Sequence, residues 1–299
     1  MPELPEVTIY VEALARKILD QPLQHMRLRS PSLLKSYDPQ PAAAESRRVL
    51  GLRTIGKRIV WEMEGDLYLV FHLMITGRFR WKARGAAIPR RGGHAAFDFP
   101  AGTIMLTEAG TKKRASLHIV RGADALSQFD RGGVDPLAAD LDEFARALTR
   151  ENRTLKRALT DPRLISGVGN AHSDEILHRA QLSPVKRTRQ LEAGEIRRLH
   201  DATRSWLIEH TERLRAEVGE GFPDKVTAFH PAMKVHGRHG EPCPRCGSPI
   251  QRIVYADNET NYCAVCQAGG KLLRDRALSR LLKEDWPRTL EDLEELEET

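Results

Sequence analysis

The sequence predicts an α+β chain: one helix, a β-sandwich behind it, then a helical domain and a ribbon built on four cysteines. Three observations carry this. Leu4, Val7, Val11, Leu14 and Ile18 recur at three- and four-residue spacing, the mark of an amphipathic helix, and this spacing then disappears until about residue 142. From His25 to Val120 apolar residues fall in short or alternating runs broken by Gly and Pro, as in strands. Two Cys-x-x-Cys pairs follow near the end.

The first helix tolerates Pro5 in its opening turn and ends by Pro22. The run RIVWEMEGDLYLVFHLM reads as a hairpin turning at Glu64-Gly65-Asp66. AAFDFPAGTIMLT reads as a second, turning at Pro100-Ala101-Gly102. Several strands behind one helix suggest a sandwich or barrel-like domain. Gly132, Gly133 and Pro136 break the pattern and mark a boundary. Helical spacing returns near 142–150, 154–160, 173–180 and 191–217, the last with an apolar stripe of Leu199, Trp206, Leu207 and Leu214. Residues 221–240 read as irregular. The expected division is 1–131 sandwich, 132–141 linker, 142–227 helical domain, 228–267 ribbon and 268–299 C-terminal extension. In the extension, KLLRDRALSRLLK reads as a short basic helix and the acidic end as a disordered, solvated tail. No internal repeat is present.

Apolar residues make up 40% and charged residues 29%, which fits a soluble globular body. The net charge is +6, but residues 291–298 hold six acids and no base, so residues 1–290 carry 47 basic against 35 acidic side chains, a net +12. A body that basic points to a polyanionic partner, nucleic acid ahead of an anionic membrane. The first twenty residues carry Glu3, Glu6 and Glu12 and no continuous apolar core, so a signal peptide is not expected. No stretch of about 18 apolar residues exists to cross a membrane. The expected compartment is the cytoplasm, where disulfides are uncommon.

Cys243-x-x-Cys246 and Cys263-x-x-Cys266 use every cysteine, with sixteen residues between the pairs, the right length for a hairpin. Two tight turns can bring four thiolates to one tetrahedral ion. The alternatives are two disulfides, opposed by a reducing compartment, and a redox pair, opposed by the closed four-ligand pattern. One structural Zn2+ is expected, with no open position for chemistry.

Gly167-Val168-Gly169-Asn170 precedes a helix, with Ser173 as its expected N-cap. Glycines allow close approach of an anion and the helix start supplies amide donors, so a DNA phosphate fits; an ordinary glycine turn between helices fits as well. The opening MPELPEV carries two readings. A small second residue permits removal of Met1, which leaves Pro2 as a secondary amine able to attack a sugar C1′, with Glu3 beside it to move protons. Proline and acids also simply favour a helix start, and these seven residues alone favour that plainer reading.

The four features occur in order: the MPELPEV start, the strand-rich domain, the GVGN turn and the CxxC-x16-CxxC ribbon. Together they closely resemble the formamidopyrimidine-DNA glycosylase / endonuclease VIII family over about residues 2–267. The resemblance implies a base-excision-repair glycosylase with AP lyase activity, acting as a monomer on oxidised or ring-opened bases in damaged DNA. Pro2 is then the nucleophile, Glu3 the proton carrier and Glu6 a supporting carboxylate. GKRIVWEMEGDLYLVFHL matches the hairpin whose strand lysine lies near the catalytic proline, which puts that role on Lys57. The helical domain becomes a helix–two-turn–helix, with Gly169 and Asn170 at phosphate and Glu175 supporting the motif. Gly237 and Arg238 match the approach to the ribbon. The damaged base must leave the stack for C1′ to be reached.

Three positions depart from the family pattern. Asn258 stands where the ribbon usually carries a phosphate-gripping arginine, and asparagine cannot reproduce a charged fork; Arg252, earlier on the hairpin, is the candidate substitute. Ile75, with Met74 beside it, stands at the methionine that fills the hole left by the flipped base. TEAGTKKRASL lacks the arginine–phenylalanine wedge, leaving Lys112, Lys113 and Arg114 to hold backbone. These changes suggest a divergent member, closer to endonuclease VIII in lesion preference. They also motivate the alternative of a DNA-damage-binding protein with lost catalysis. A zinc-ribbon transcription or RNA-associated factor would fit the ribbon and charge but leaves MPELPEV unexplained.

Overall fold

The computed structural model describes residues 1–224, 227, 229–255, 258–274 and 287–297. They fall into two compact units, Met1–Arg131 with Glu209–Ala228, and Gly132–Ile208 with Phe229–Thr299.

The first unit opens with α1 (Leu4–Ile18), whose Val7, Tyr10, Leu14 and Ile18 form one buried stripe. Glu6 accepts the Glu3 backbone N–H at 2.7 Å, one arm of a capping box that fixes where the helix starts. The chain then forms β1 (His25–Leu28), β2 (Val49–Ile55), β3 (Arg58–Met63), β4 (Leu67–His72), β5 (Gly77–Lys82), β6 (Gly93–Phe99), β7 (Gly102–Glu108) and β8 (Ser116–Arg121), followed by the short α2 (Ala123–Ser127). They make two antiparallel sheets, β2-β3-β4-β8 and β1-β6-β7-β5, so the domain is a sandwich and not a barrel. Both expected hairpins are present, β3 pairing β4 and β6 pairing β7. Alternation on β3 sends Ile59, Trp61 and Met63 into the sandwich, where Trp61 meets Phe97 edge-on at 5.2 Å between ring centres. Val60 and Val70 face the other way and are covered by Leu126 of α2. Burial on both faces is why these strands read as continuous apolar runs.

In the second unit, α3 (Leu141–Thr149) starts at a reciprocal Asp140–Glu143 capping box. Then come α4 (Leu155–Thr160) and α5 (Asn170–Ala180). The long α6 (Ala193–Val218) contributes Leu199, Trp206 and Leu207 to this unit's buried residues, and its residues from Glu209 onward belong to the first unit. α5 is buried on nearly every side, unlike a surface helix. The ribbon is β9 (Ile250–Tyr255) paired with β10 (Asn258–Cys263), then α7 (Ala264–Ala268).

The acidic end is not a disordered tail. Residues Leu290–Glu297 form α8. Asp292 accepts the backbone N–H of Thr289 and Thr289 Oγ1 accepts that of Asp292, so local capping bonds start the helix. Before it, Leu272 and Leu273, with Leu290, pack on Ile253, Tyr262 and Ala264 of the ribbon. The basic helix expected over 271–283 falls, from residue 275 on, outside the described residues. No helix among the described residues is long and apolar enough to cross a membrane.

Candidate active site and DNA-binding surface

The start of α1 gathers the groups that the opening heptapeptide suggested. Pro2, Glu3 and Glu6 are buried side by side, with Glu3 at 1% exposure and Glu6 at 0%. Burial lowers the terminal amine, carried here by Met1, from its ordinary value of 8.0; Glu3 and Glu6 pull it back up, while Arg78 and Lys57 push it further down. Lys57 is itself lowered by burial, with Glu3 opposing and Arg58 adding to the shift. Amine, carboxylates and lysine therefore share one charge environment.

Lys57 does not lie on a strand as expected. Ile55 pairs with Arg58, so Gly56-Lys57 is the two-residue turn between β2 and β3. Gly56 has φ +56°, the left-handed backbone that such hairpin turns require and glycine adopts without strain.

Two histidines missed from the sequence belong here. His210, fully buried, places Nε2 3.6 Å from Glu6 Oε1. His72, at the end of β4, has Nε2 buried with no hydrogen-bond partner among the described residues. Burial, then Arg58, Lys57 and His118, push its ring down to about 4, so it is neutral at pH 7. Neither histidine sits in a motif; the only signal is a polar residue at the end of an apolar strand for His72 and inside an apolar helix stripe for His210.

Met74 and Ile75 form a tight turn after β4. Met74 has φ +55°, uncommon for a non-glycine residue, and Ile75 is 50% exposed. Gly77 N–H donates to Leu73 O at 2.9 Å, and a Cβ on Gly77 would lie 2.1 Å from that oxygen. Arg78 Nη1 donates to the Ile75 and Gly77 carbonyls, bracing the turn. Lys112, Lys113 and Arg114 stand exposed on the loop between β7 and β8.

In the second unit Gly169, not Ser173, is the N-cap of α5, which begins three residues earlier than its apolar pattern implied. Ser173 lies one turn inside and donates its hydroxyl back to Gly169 O at 2.6 Å, the usual arrangement for a helical serine. Asn170 Nδ2 donates to Glu259 O on β10, and Lys156 Nζ donates to Asn170 O and Asp174 Oδ1 at 2.6 Å. Asp174 Oδ2 lies 2.8 Å from His236 Nδ1. Glu175, 1% exposed, accepts the backbone N–H groups of Lys234, Val235 and His236 at 2.8, 2.9 and 2.8 Å. Gly237 N–H donates to Asn261 Oδ1 on β10. The GVGN turn and the ribbon are thus one buried polar network.

Arg238 is taken up within its own loop, donating to Met233 O, Pro231 O and Glu241. Asn258 is exposed at the hairpin end opposite Tyr255. Arg252 is exposed too, 3.8 Å from Glu259, but pairs with Asn261, three residues from that end and so about 10 Å along the strand.

Sγ atoms of Cys243 and Cys266 are 4.0 Å apart, those of Cys246 and Cys263 3.4 Å, and all four lie within 4.8 Å of one another. Tetrahedral zinc with bonds of about 2.3 Å separates its sulfurs by about 3.8 Å, whereas a disulfide needs about 2.05 Å. The donor set fits zinc and excludes disulfides. His178 Nε2 lies 3.3 Å from Cys243 Sγ, a second layer around the metal ligand.

Three family models match this chain in order: the formamidopyrimidine-DNA glycosylase N-terminal domain over residues 1–114, the H2TH domain of the same enzymes over 133–217, and the zinc finger found in FPG and IleRS over 240–269. The formamidopyrimidine-DNA glycosylase of Thermus thermophilus is 35% identical over 279 residues, which span 90% of this chain and all of the relative. The chain belongs to the formamidopyrimidine-DNA glycosylase family. The crystal structure of the MutM (Fpg) protein of that organism superposes with a TM-score of 0.75 at 34% identity, covering 89% of this chain and 98% of the other. The Lactococcus lactis Fpg in complex with DNA containing an abasic site gives 0.78 at 25%, covering 89% and 99%. A Mycobacterium tuberculosis protein named as an uncharacterized formamidopyrimidine-DNA glycosylase-like protein is 39% identical over 151 residues, half of this chain and 94% of that one. Like other members of the family, the chain has a β-sandwich, an H2TH domain and a ribbon for one structural zinc. Membership spans the first 114 residues as well as the ribbon, so the transcription-factor reading falls away.

Proposed function

We propose that this chain is a base-excision-repair DNA glycosylase with AP lyase activity, acting as a monomer on oxidised or ring-opened bases in the cytoplasm, with the Pro2 amine as nucleophile once Met1 is removed. The observation that carries this is the burial of Pro2, Glu3 and Glu6 together, within charge reach of Lys57.

A buried amine loses its proton more readily than an exposed one, so a larger share of Pro2 is neutral and nucleophilic at pH 7. The Pro2 nitrogen forms a bond to C1′ as the bond from C1′ to the base breaks, and the departing base takes up the proton that the Pro2 nitrogen gives up. Opening of the sugar C1′–O4′ bond, with a proton delivered to O4′, leaves an iminium at C1′. Glu3 is the carboxyl placed to deliver that proton. Loss of a C2′ proton from the iminium then expels the 3′ phosphate, which is the lyase step. Lys57 and the neutral His72 ring offer a charge and a hydrogen-bond donor to backbone phosphate. Zinc supplies only the fold of the ribbon.

Borohydride reduction of the iminium tests the reading. Met1-processed protein should form a covalent adduct with DNA carrying an abasic or oxidised site, and Glu3→Gln should form far less on the oxidised site. Absence of any adduct, with lesion-selective binding retained, would favour the alternative of a damage-binding protein without catalysis.

A further inference from the structure

Glu108 closes β7 at 1% exposure, directly before the loop that carries Lys112, Lys113 and Arg114. Its carboxylate accepts the backbone N–H of Arg114 at 3.0 and 3.2 Å and that of Ala115 at 3.3 Å to both oxygens. Lys113 Nζ donates to the Glu108 carbonyl. Behind it, His94 of β6, 3% exposed in its side chain, places Nε2 3.0 Å from Glu108 Oε2. The same loop is joined to the Met74-Ile75 turn, since Gly110 N–H donates to Thr76 Oγ1 at 3.1 Å and Gly77 pairs with Glu108 in the sheet. A Cβ on Gly110 would come within 2.8 Å of Thr76 Oγ1, so the two segments meet too closely for a side chain there.

An anionic side chain buried beneath a loop of three cations is costly unless it is satisfied, and here both oxygens are used to shape that loop. The loop lacks an aromatic wedge and has little apolar surface to hold it, so backbone bonds to Glu108 take that part. We propose that Glu108, backed by His94, mounts the basic loop and the linked Met74-Ile75 turn in the shape that engages duplex DNA, and so sets a preference for double-stranded over single-stranded substrate. Only a duplex offers both a gap between stacked base pairs for an apolar tip such as Ile75 and a second strand of phosphates for the loop cations. A flexible single strand can reach the catalytic groups without either. This inference rests on the glycosylase reading above.

The test is Glu108→Gln, which keeps the size of the side chain but puts an amide donor where an acceptor oxygen meets Arg114 and Ala115. The same lesion is supplied in a duplex and as a single strand, and the ratio of the two kcat/KM values is compared with wild type. The ratio should fall about tenfold, chiefly through a higher duplex KM. An equal loss on both substrates, or an unchanged ratio, overturns the proposal. If the variant does not fold, amide hydrogen exchange in the free wild-type protein decides: Arg114 and Ala115 should exchange far more slowly than Lys112 and Lys113, and uniformly fast exchange overturns the mount. Exchange needs no turnover, so a wild-type protein inactive on both substrates would count against the glycosylase reading alone.

Discussion

Glu175→Gln should loosen the ribbon entrance at a measurable cost. The native carboxylate takes three backbone donors, two on Oε1 from Val235 and His236 and one on Oε2 from Lys234. Burial first, and Asp174 last, hold this carboxyl above its ordinary value although the three N–H groups pull it down; the geometry, with both oxygens accepting from donors, is the one an ionised carboxylate fits. Glutamine keeps one acceptor oxygen and turns an amide donor toward the second set of donors. At least one N–H is left buried without an acceptor, and the surviving bonds become neutral ones. A lost bond to a charged acceptor is worth about 1.5–3 kcal/mol and an unsatisfied buried N–H a further 1–3 kcal/mol or so. Relief from burying a charge offsets part of this, leaving about 2–4 kcal/mol. Val235 packs with Cys243, Ile250 and Cys263, so the loss should reach the metal. Urea unfolding in the presence of zinc measures the first effect, and release of zinc to a chromogenic chelator the second. A midpoint shift equivalent to less than about 0.5 kcal/mol, a size typical of surface substitutions, with unchanged zinc release, would refute the reasoning.

Three further outcomes follow from the site. Burial lowers the terminal amine carried by Met1, and Pro2 behind it is more deeply buried, so on the proposed mechanism the acid limb of single-turnover borohydride trapping by Met1-processed protein should have its midpoint below the pKa of the proline amine in an unfolded peptide of the same opening sequence; a midpoint at or above the peptide's contradicts this. Metal analysis should find one zinc per chain, and Cys243→Ser should abolish it and weaken duplex binding, since three thiolates no longer close the tetrahedron. Gly77→Ala should open the Leu73–Gly77 turn, because its Cβ would meet Leu73 O, and should cost about 1–3 kcal/mol in thermal unfolding while weakening duplex binding; an unperturbed variant would show that this turn yields freely.

Sequence spacing revealed what depends on neighbours along the chain. The amphipathic α1, the two hairpins and the cysteine pairs all follow from local periodicity or turn chemistry. Ser173 misled because a serine near an apolar run resembles a cap, while Gly169 with extended backbone does the capping without a side chain to advertise it. Lys57 was placed one element off, since the Gly56 turn lies inside what reads as a continuous strand. Charge alone reads the acidic end as a solvated tail, but Thr289 and Asp292 exchange capping bonds where a helix starts. His210 and the pair His94 and Glu108 are illegible for another reason: the groups they meet come from other elements, and only the folded chain supplies them; His72 is marked only by its burial and by the charges of Arg58, Lys57 and His118 around it.

The burial of Pro2 has a consequence for how the protein is made. Met1 sits half-buried in front of it, its amine within charge reach of Glu3 and Glu6. A peptidase that trims the initiator must grip an extended, accessible end, which the finished fold withholds. Trimming therefore belongs to the interval while the chain is leaving the ribosome and its first helix has not yet docked. On the mechanism proposed above, a molecule that folds ahead of the peptidase keeps a peptide bond at the nitrogen that has to react. The pool of competent enzyme is then set by a race during synthesis, and a culture that outpaces its peptidase would accumulate correctly folded, inert protein.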